Sequence, residues 1–452
     1  MKKSLLFASF FFGIIFQIFA QYNIGKQTIT FTDASRGNRN IETDIFYPAI
    51  TNGNNASIIN EKFPVIIMGH GFVMTVNSYE NLSDYFVPKG YIIILPKTEG
   101  SFSPNHAAFG EDIRFLANQI LVENNNSSSF FNNKILDKIA LMGHSMGGGA
   151  ALLASENNNA ISAYVGLASA ETSTSAIDAA ANVNVPFLML AGSEDAVTPP
   201  SEHQILMYEN YNNVCKTYLE LNGGGHCLFA NSNFNCNIGE AAVGGNITLS
   251  RAEQQGLLNK YVGLWLDYYL KDDCESWQEF NNEIRLSDSL EFRQDSENYP
   301  EIIYENGNLI LSKNPNIYQS INWFESGNFI SDNNQVENAS EGIYSVEVEL
   351  NDSCSVINNF ELNFVNVNST IFNDFDFKIF PNPIKSNQQT ISYNVDGKIL
   401  YELYDISGKL IFSNIAINKE IRLEKPLKQG VYIINIISDD ENIRSSKRII
   451  VI

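Results

Sequence analysis

The sequence predicts an α/β chain: a mostly parallel sheet with helices on both faces, followed by two small all-β domains. Three observations predict it. Apolar runs alternate with segments of helical spacing from about residue 26 to about residue 272. Near Ser287 the pattern changes, and only short strands follow. At 141–149 the chain reads "LMGHSMGGG", a glycine-flanked serine set where a strand gives way to a helix.

The N-terminus reads "MKKSLLFASFFFGIIFQIFA", two lysines and an apolar run closed by a small residue. This is the layout of a secretory signal peptide over 1–20, cleaved after Ala20. The run is shorter than the roughly 20 residues a spanning helix needs. No later run is longer, so no transmembrane segment is expected. The 452-residue chain carries a net charge of -22. Such a surface is repelled by phosphate backbones and anionic membranes, which argues against nucleic acid as a partner.

Within the first region, expected as a catalytic domain over 21–286, the strands are "FPVIIMGHGF", "GYIIILPKT", "KIALMGHS", "SAYVGLAS", "VPFLMLAGSED" and "TYLELNGGGH". Near-continuous apolar runs of this kind are buried on both faces. "AAFGEDIRFLANQILVE" places Ile113, Leu116, Ile120 and Leu121 at helical offsets, and "AEQQGLLNKYVGLWLDYYL" does the same with Leu258, Tyr261, Val262, Trp265 and Tyr269. Strand and helix in alternation give a parallel sheet covered on both sides. Residues 287–370 read as a small antiparallel module acting as a spacer or weak binder, with Trp323, "EGIYSVEVEL" and Cys354 resembling immunoglobulin-like modules of secreted proteins.

Gly-x-Ser-x-Gly between a strand and a helix is a nucleophile elbow. Side chains at Gly143 or Gly147 would strike the neighbouring strand and helix, and the helix start offers unpaired N–H groups. An acid and a histidine follow in the order this arrangement requires. The loop after "FLMLAG" carries Glu194 and Asp195, of which Asp195 is the expected acid. Of five histidines, only His203 and His226 follow it; His203 lies in a helical stretch too close behind. His226, on a glycine-rich and mobile-looking loop, is therefore the expected base for Ser145. The oxyanion hole is expected from the backbone N–H groups of Met146 and Phe72. Phe72, His144 and Ala170 are the expected substrate walls. His70 and His144 are also read as structural. No metal or cofactor is implied.

The five cysteines contain no CxxC pair. Export permits disulfides. Cys227–Cys236 would staple the His226 loop. Cys215, starting the last strand, and Cys274, ending the last helix, would meet at the sheet bottom, leaving Cys354 over; the alternative is free buried thiols.

With these motifs in hand, residues 22–272 resemble the serine α/β-hydrolases, in the branch of cutinase-like polyester hydrolases. "GHSMGGG", "SEDAVTP", "YLELNGGGH" and "GHGF" carry the resemblance; "TFTDASRGNRNIETDIFYPA" is similar to the opening strands of dienelactone-hydrolase-like enzymes. The resemblance implies an α/β-hydrolase fold and a secreted serine esterase working through an acyl-enzyme, on polyesters such as poly(ethylene terephthalate). Relatives often carry a tryptophan where Ala170 stands here, and the dienelactone-type nucleophile is cysteine rather than Ser145. The competing expectations are a short-chain, acetyl or lipid-ester carboxylesterase without polymer activity, and a non-catalytic surface adhesin. The region 371–452 resembles the type IX secretion sorting domain through Pro381-Asn382-Pro383, Asp405…Gly408-Lys409, Gly430-Val431-Tyr432 and the terminal strand from Lys447. That resemblance implies the secretion machinery as a partner and a secreted or cell-surface protein.

Overall fold

The computed structural model describes residues 21–362 apart from 214 and 352–353, and 379–451 apart from 387, 389, 394–397, 406–408, 418, 424 and 439–443. The expected signal peptide lies outside the described residues. Two compact units divide the chain, one ending at Leu362 and the other beginning at Asn363.

The first unit is built on one ten-stranded sheet. Its strands are β1 (Asn23–Asp33), β2 (Arg39–Ala49), β3 (Gly53–Asn54), β4 (Phe63–Gly69), β5 (Ile92–Pro96), β6 (Ile135–His144), β7 (Ala163–Leu167), β8 (Phe187–Gly192), β9 (Cys215–Leu221) and β10 (Leu290–Ser296). The order is β10-β9-β8-β7-β6-β4-β5-β2-β1-β3. Strands β4 to β9 are mutually parallel, while β2 joins β5 antiparallel and β10 joins β9 antiparallel. Val65, Ile66, Ile67, Leu141, Met142, Val165 and Leu190 are wholly buried, as residues of a doubly covered sheet must be.

The helices are α1 (Glu80–Phe86), α2 (His106–Asn125), α3 (Met146–Ser155), α4 (Ala176–Ala180), α5 (Gln204–Asn210), α6 (Phe234–Val243), α7 (Arg251–Lys271) and α8 (Cys274–Leu286). In α2 the expected stripe of Ile113, Leu116 and Ile120 is buried. In α7 a capping box between Ser250 and Glu253 starts the helix, and Leu258, Tyr261, Val262 and Trp265 are buried. Two apolar cores flank the sheet.

The expected boundary at 286/287 falls inside this unit. Leu290–Ser296 is not part of a separate module; it is the edge strand beside β9, paired from Leu290↔Leu221 to Ser296↔Cys215. The following strands, β11 (Ile302–Glu305) and β12 (Asn308–Leu311) with β15 (Gln335–Val336), and β13 (Ser320–Glu325), β14 (Asn328–Ser331), β16 (Gly342–Asn351) and β17 (Cys354–Leu362), make two antiparallel sheets. Their interior residues Trp323, Val346 and Val348 belong to the same apolar cluster as Trp265, Trp277 and Phe280 of α7 and α8. Arg285 stacks on Tyr299 at 3.7 Å, binding the helices to the sheets by a cation–π contact.

The expected Cys215–Cys274 pair is absent. The chain turns at Asp272, in a left-handed conformation, into a further helix that the sequence reading lacked. Cys274 therefore opens α8 instead of ending the last helix, and it bonds Cys354 with a Cα–Cα distance of 5.3 Å. Cys215 is a free thiol. Cys227 and Cys236 are bonded.

The second unit has two antiparallel sheets, β18 (Ile379–Phe380), β19 (Thr390–Tyr393) and β22 (Glu420–Arg422), and β20 (Ile399–Asp405), β21 (Leu410–Ala416), β23 (Gly430–Ser438) and β24 (Arg444–Val451). Ile391, Tyr401, Leu403, Ile434 and Ile449 form its core. Asn382 bridges to β24, donating to the Arg448 carbonyl and accepting from Ile450 N–H. The Asp405 side chain accepts from Lys409 N–H and tightens the β20–β21 turn.

Candidate active site

Ser145, the loop after Gly69, the loop after Gly192 and the loop after Leu221 all leave the C-terminal ends of parallel strands, where open α/β sheets bind ligands. Ser145 has φ 56° and ψ -126°. A serine holds that conformation only where its surroundings force it. The glycines do the forcing. A Cβ at Gly143 would lie 2.1 Å from the Gly147 carbonyl oxygen, and one at Gly147 would lie 2.2 Å from the Gly69 carbonyl. Helix α3 is thereby pressed against the ends of β4 and β6. The Ser145 carbonyl accepts from Gly148, Gly149 and Ala170 N–H groups, which locks the turn.

Asp195 and His226 meet directly. His226 Nδ1 donates to Asp195 Oδ2 at 2.7 Å, with both residues buried. The carboxylate is fully satisfied: Oδ1 accepts from Val197 and Thr198 N–H at 2.9 and 2.8 Å, and Oδ2 also accepts from Thr198 Oγ1 at 2.8 Å. Burial pushes the Asp195 pKa up, but the His226 contact and the Thr198 donors outweigh it and hold the carboxyl below its ordinary range. Engagement of Nδ1 leaves Nε2 as the ring nitrogen for chemistry.

The His226 loop reads as mobile from its glycines, yet it is clamped. Gln254 of α7 is wholly buried; its Oε1 accepts from Gly225 N–H at 2.9 Å and its Nε2 donates to the Gly225 carbonyl at 2.8 Å. The Gly224 carbonyl accepts from Glu194 N–H at 2.9 Å, and a Cβ at Gly192 would meet that oxygen at 2.5 Å. Here glycine serves close approach of the acid and histidine loops.

Among the described residues, neither the Met146 nor the Phe72 amide donates a hydrogen bond. Phe72 is 48% exposed and Val73 behind it has φ 53°. Ala170 is partly exposed beside Ser145. His144 does not line a substrate wall: it is wholly buried because both ring nitrogens are engaged. Its Nε2 faces the His226 carbonyl at 2.9 Å, its Nδ1 faces Tyr79 Oη at 2.9 Å, and Tyr79 Oη accepts from Gly71 N–H at 2.8 Å. A carbonyl only accepts, so Nε2 carries the proton and Tyr79 donates to Nδ1. This three-link chain ties the Gly71–Phe72 loop to the His226 loop, and the His144 and His226 rings lie 4.8 Å apart. His70 packs on Phe109 with its nitrogens at the Gly71 and Thr98 carbonyls. His203 takes no part in this contact; its Nδ1 accepts from Glu171 N–H at 2.9 Å.

Thr198, Gln204, Gln254 and Tyr79 escaped the sequence reading. Only Thr198 left a signal, as part of "SEDAVTP". Gln204 Nε2 donates to Thr198 Oγ1 and to the Ser169 carbonyl, holding the threonine under the acid.

No group of three or more histidine, cysteine or carboxylate side chains fit to hold a metal occurs among the described residues. No helix among them is long and apolar enough to cross a membrane. Comparison with known proteins gives two matches. A family described as PET hydrolase-like matches residues 20–247, just over half of the chain, spanning Ser145, Asp195 and His226. A secretion system C-terminal sorting domain matches residues 378–452, which makes the protein secreted or displayed at the cell surface through type IX secretion. No curated protein matches the chain. A ten-stranded α/β sheet, a strained serine at its strand–helix junction and an aspartate–histidine contact beside it thus agree with the family match: the chain is a secreted hydrolase and belongs to the PET hydrolase-like family.

Proposed function

We propose that the protein is a serine carboxylic ester hydrolase that cleaves polyesters through an acyl-enzyme. Ser145 Oγ gives its proton to His226 Nε2 and attacks the ester carbonyl carbon. Asp195 holds the imidazole tautomer and stabilises its charged form. The tetrahedral oxyanion takes hydrogen bonds from the Met146 and Phe72 amides, each such donor worth about 3 kcal/mol in the transition state. The carbon–oxygen bond breaks as His226 returns the proton to the leaving alcohol. Water then gives a proton to His226 and attacks the acyl-enzyme; the acid leaves and Ser145 regains its proton.

The observation that carries this reading is the 2.7 Å contact between His226 Nδ1 and Asp195 Oδ2, held by the His144 link beside the elbow. The polyester substrate draws on the family match. A narrower reading, small soluble esters alone, draws on Ala170 in place of an aromatic wall. The test is release of soluble acid from poly(ethylene terephthalate) film, run beside p-nitrophenyl ester turnover. Loss of both on Ser145→Ala, and phosphonate labelling at Ser145, are expected. Turnover of small esters without release from film leaves the narrower reading; full activity of Ser145→Ala refutes both.

A further inference from the structure

Helix α6 is turned inside out. None of its ten residues is buried. Phe234 is 76% exposed and Ile238 53% exposed. At helical spacing, Phe234, Ile238, Ala241 and Ala242 share one face about 100° wide. Groups on the opposite side and flank tie the helix down. Cys236 is bonded to Cys227, Glu240 Oε1 accepts from Cys227 N–H at 2.9 Å, and Asn237 Oδ1 accepts from Arg251 Nη2 at 3.2 Å. A surface helix ordinarily does the reverse, burying its apolar stripe and wetting its polar one.

This face is continuous with the rim of the site. The disulfide clips α6 to the residue after His226. Asn235 Nδ2 donates to the Val73 carbonyl at 3.0 Å, next to Phe72. Phe72 in turn meets Phe102, itself 82% exposed, edge to face with centroids 6.4 Å apart.

Charge is missing from the same places. The stretches 70–79, 100–109 and 226–250 total 45 residues and contain one charged side chain, Glu240, which faces inward. At the chain's 18% charged content, about eight would be expected. A collar without charge on a chain of net charge -22 is complementary to an uncharged surface, and offers no cation to an anionic one.

We propose that the outer face of α6, with Phe72 and Phe102, is a docking surface for the uncharged apolar surface of a solid polyester. The proposal rests on the ester hydrolase reading and adds to it a contact made before any ester bond reaches Ser145. Helix α6 then adsorbs the enzyme with its catalytic loops facing the solid.

The test is adsorption of the full chain to polyester film, measured by depletion from solution. It uses Ser145→Ala as the background, so that turnover plays no part. Phe234→Ser combined with Ile238→Ser is expected to weaken adsorption about tenfold or more, since both side chains lose their apolar transfer. The conservative pair Phe234→Leu and Ile238→Leu is expected to retain it. In the Ser145 background, the serine pair is expected to keep p-nitrophenyl ester turnover within about twofold, because neither side chain touches the elbow. Unchanged adsorption of the serine pair overturns the proposal. So does a wild-type dimer that the serine pair dissolves, which would assign the face to a second copy. So does binding to phosphatidylglycerol vesicles as tight as to film. Failure of the ester reading appears separately, as soluble-ester turnover that survives Ser145→Ala.

Discussion

Tyr79→Phe tests the chain of hydrogen bonds behind the site. The substitution removes one oxygen from a wholly buried position and changes the volume little. Two partners then lose their only named contact on that side: the Gly71 N–H, at 2.8 Å, and His144 Nδ1, at 2.9 Å. His144 cannot recover by changing tautomer, because its Nε2 proton is committed to the His226 carbonyl at 2.9 Å. A buried polar group left without a partner costs about 1–3 kcal/mol, so the pair costs about 2–6 kcal/mol. That is a sizeable share of a typical stability of 5–15 kcal/mol. The same oxygen anchors Gly71, directly before the Phe72 amide. Loosening that loop is expected to lower kcat about tenfold or more, with KM less affected, as for a donor used chiefly in the transition state. Urea unfolding with an unchanged m-value, beside p-nitrophenyl ester kinetics, reads both effects. A stability change under about 1 kcal/mol together with an unaltered kcat would refute the relay.

Acid is expected to destabilise the first unit. Burial drives the His144 pKa down from 6.5 to about 3 and lowers that of His70, so below pH 6.5 the unfolded chain binds protons that the folded one refuses. Stability therefore falls as pH falls, by up to about 1.4 kcal/mol per pH unit from His144 alone, and Asp195 adds its share below the ordinary carboxylate range. A flat Tm between pH 7 and pH 4 would contradict this. Thr198→Val deprives Asp195 of a hydroxyl donor and is expected to cut kcat severalfold with little change in KM; wild-type kinetics would remove Thr198 from the machinery. Cys354→Ser opens a bond spanning 80 residues and is expected to cost about 4 kcal/mol, whereas Cys215→Ser, at an unbonded position, is expected to be nearly neutral in urea melts. Truncation after residue 286 exposes β9 and strips Trp277 and Phe280 of part of their cluster, so that fragment is expected to be insoluble where a chain ending at 362 stays soluble; equal solubility would argue against a shared core.

Much of the catalytic region was legible because its rules are local. Gly-x-Ser-x-Gly encodes a clash that two or three residues determine, and apolar runs mark covered strands wherever they fall. The order of serine, acid and histidine then selects Asp195 and His226 from few candidates. What could not be read depends on contacts between distant residues. Tyr79 and Gln254 look like ordinary helix or loop residues until folding sets them under Gly71 and beside Gly225. The glycines before His226 suggested freedom, since spacing cannot distinguish a loose loop from a tightly packed one. Cys274 reads as the end of the last helix because the polar run "CESWQEFNNEIRL" conceals α8, whose apolar face is only Trp277, Phe280 and Ile284. The Leu290–Ser296 strand reads as part of the following module for a similar reason, since its alternating charge resembles any exposed strand, and only its pairing with β9 places it in the large sheet.

That same strand bears on how a secreted protein keeps its sheet from pairing with other copies. A long sheet invites another chain to add itself at either end. Here one end is β1, of which β3 covers only Gly25 and Lys26, and the other is β10, where Glu291, Arg293 and Asp295 punctuate the sequence. The β10 margin, with a charge at every second position, is thus a poor seed for fibrils. A secreted protein closed on that side by alternating charge resists gaining a further strand from its own copies there.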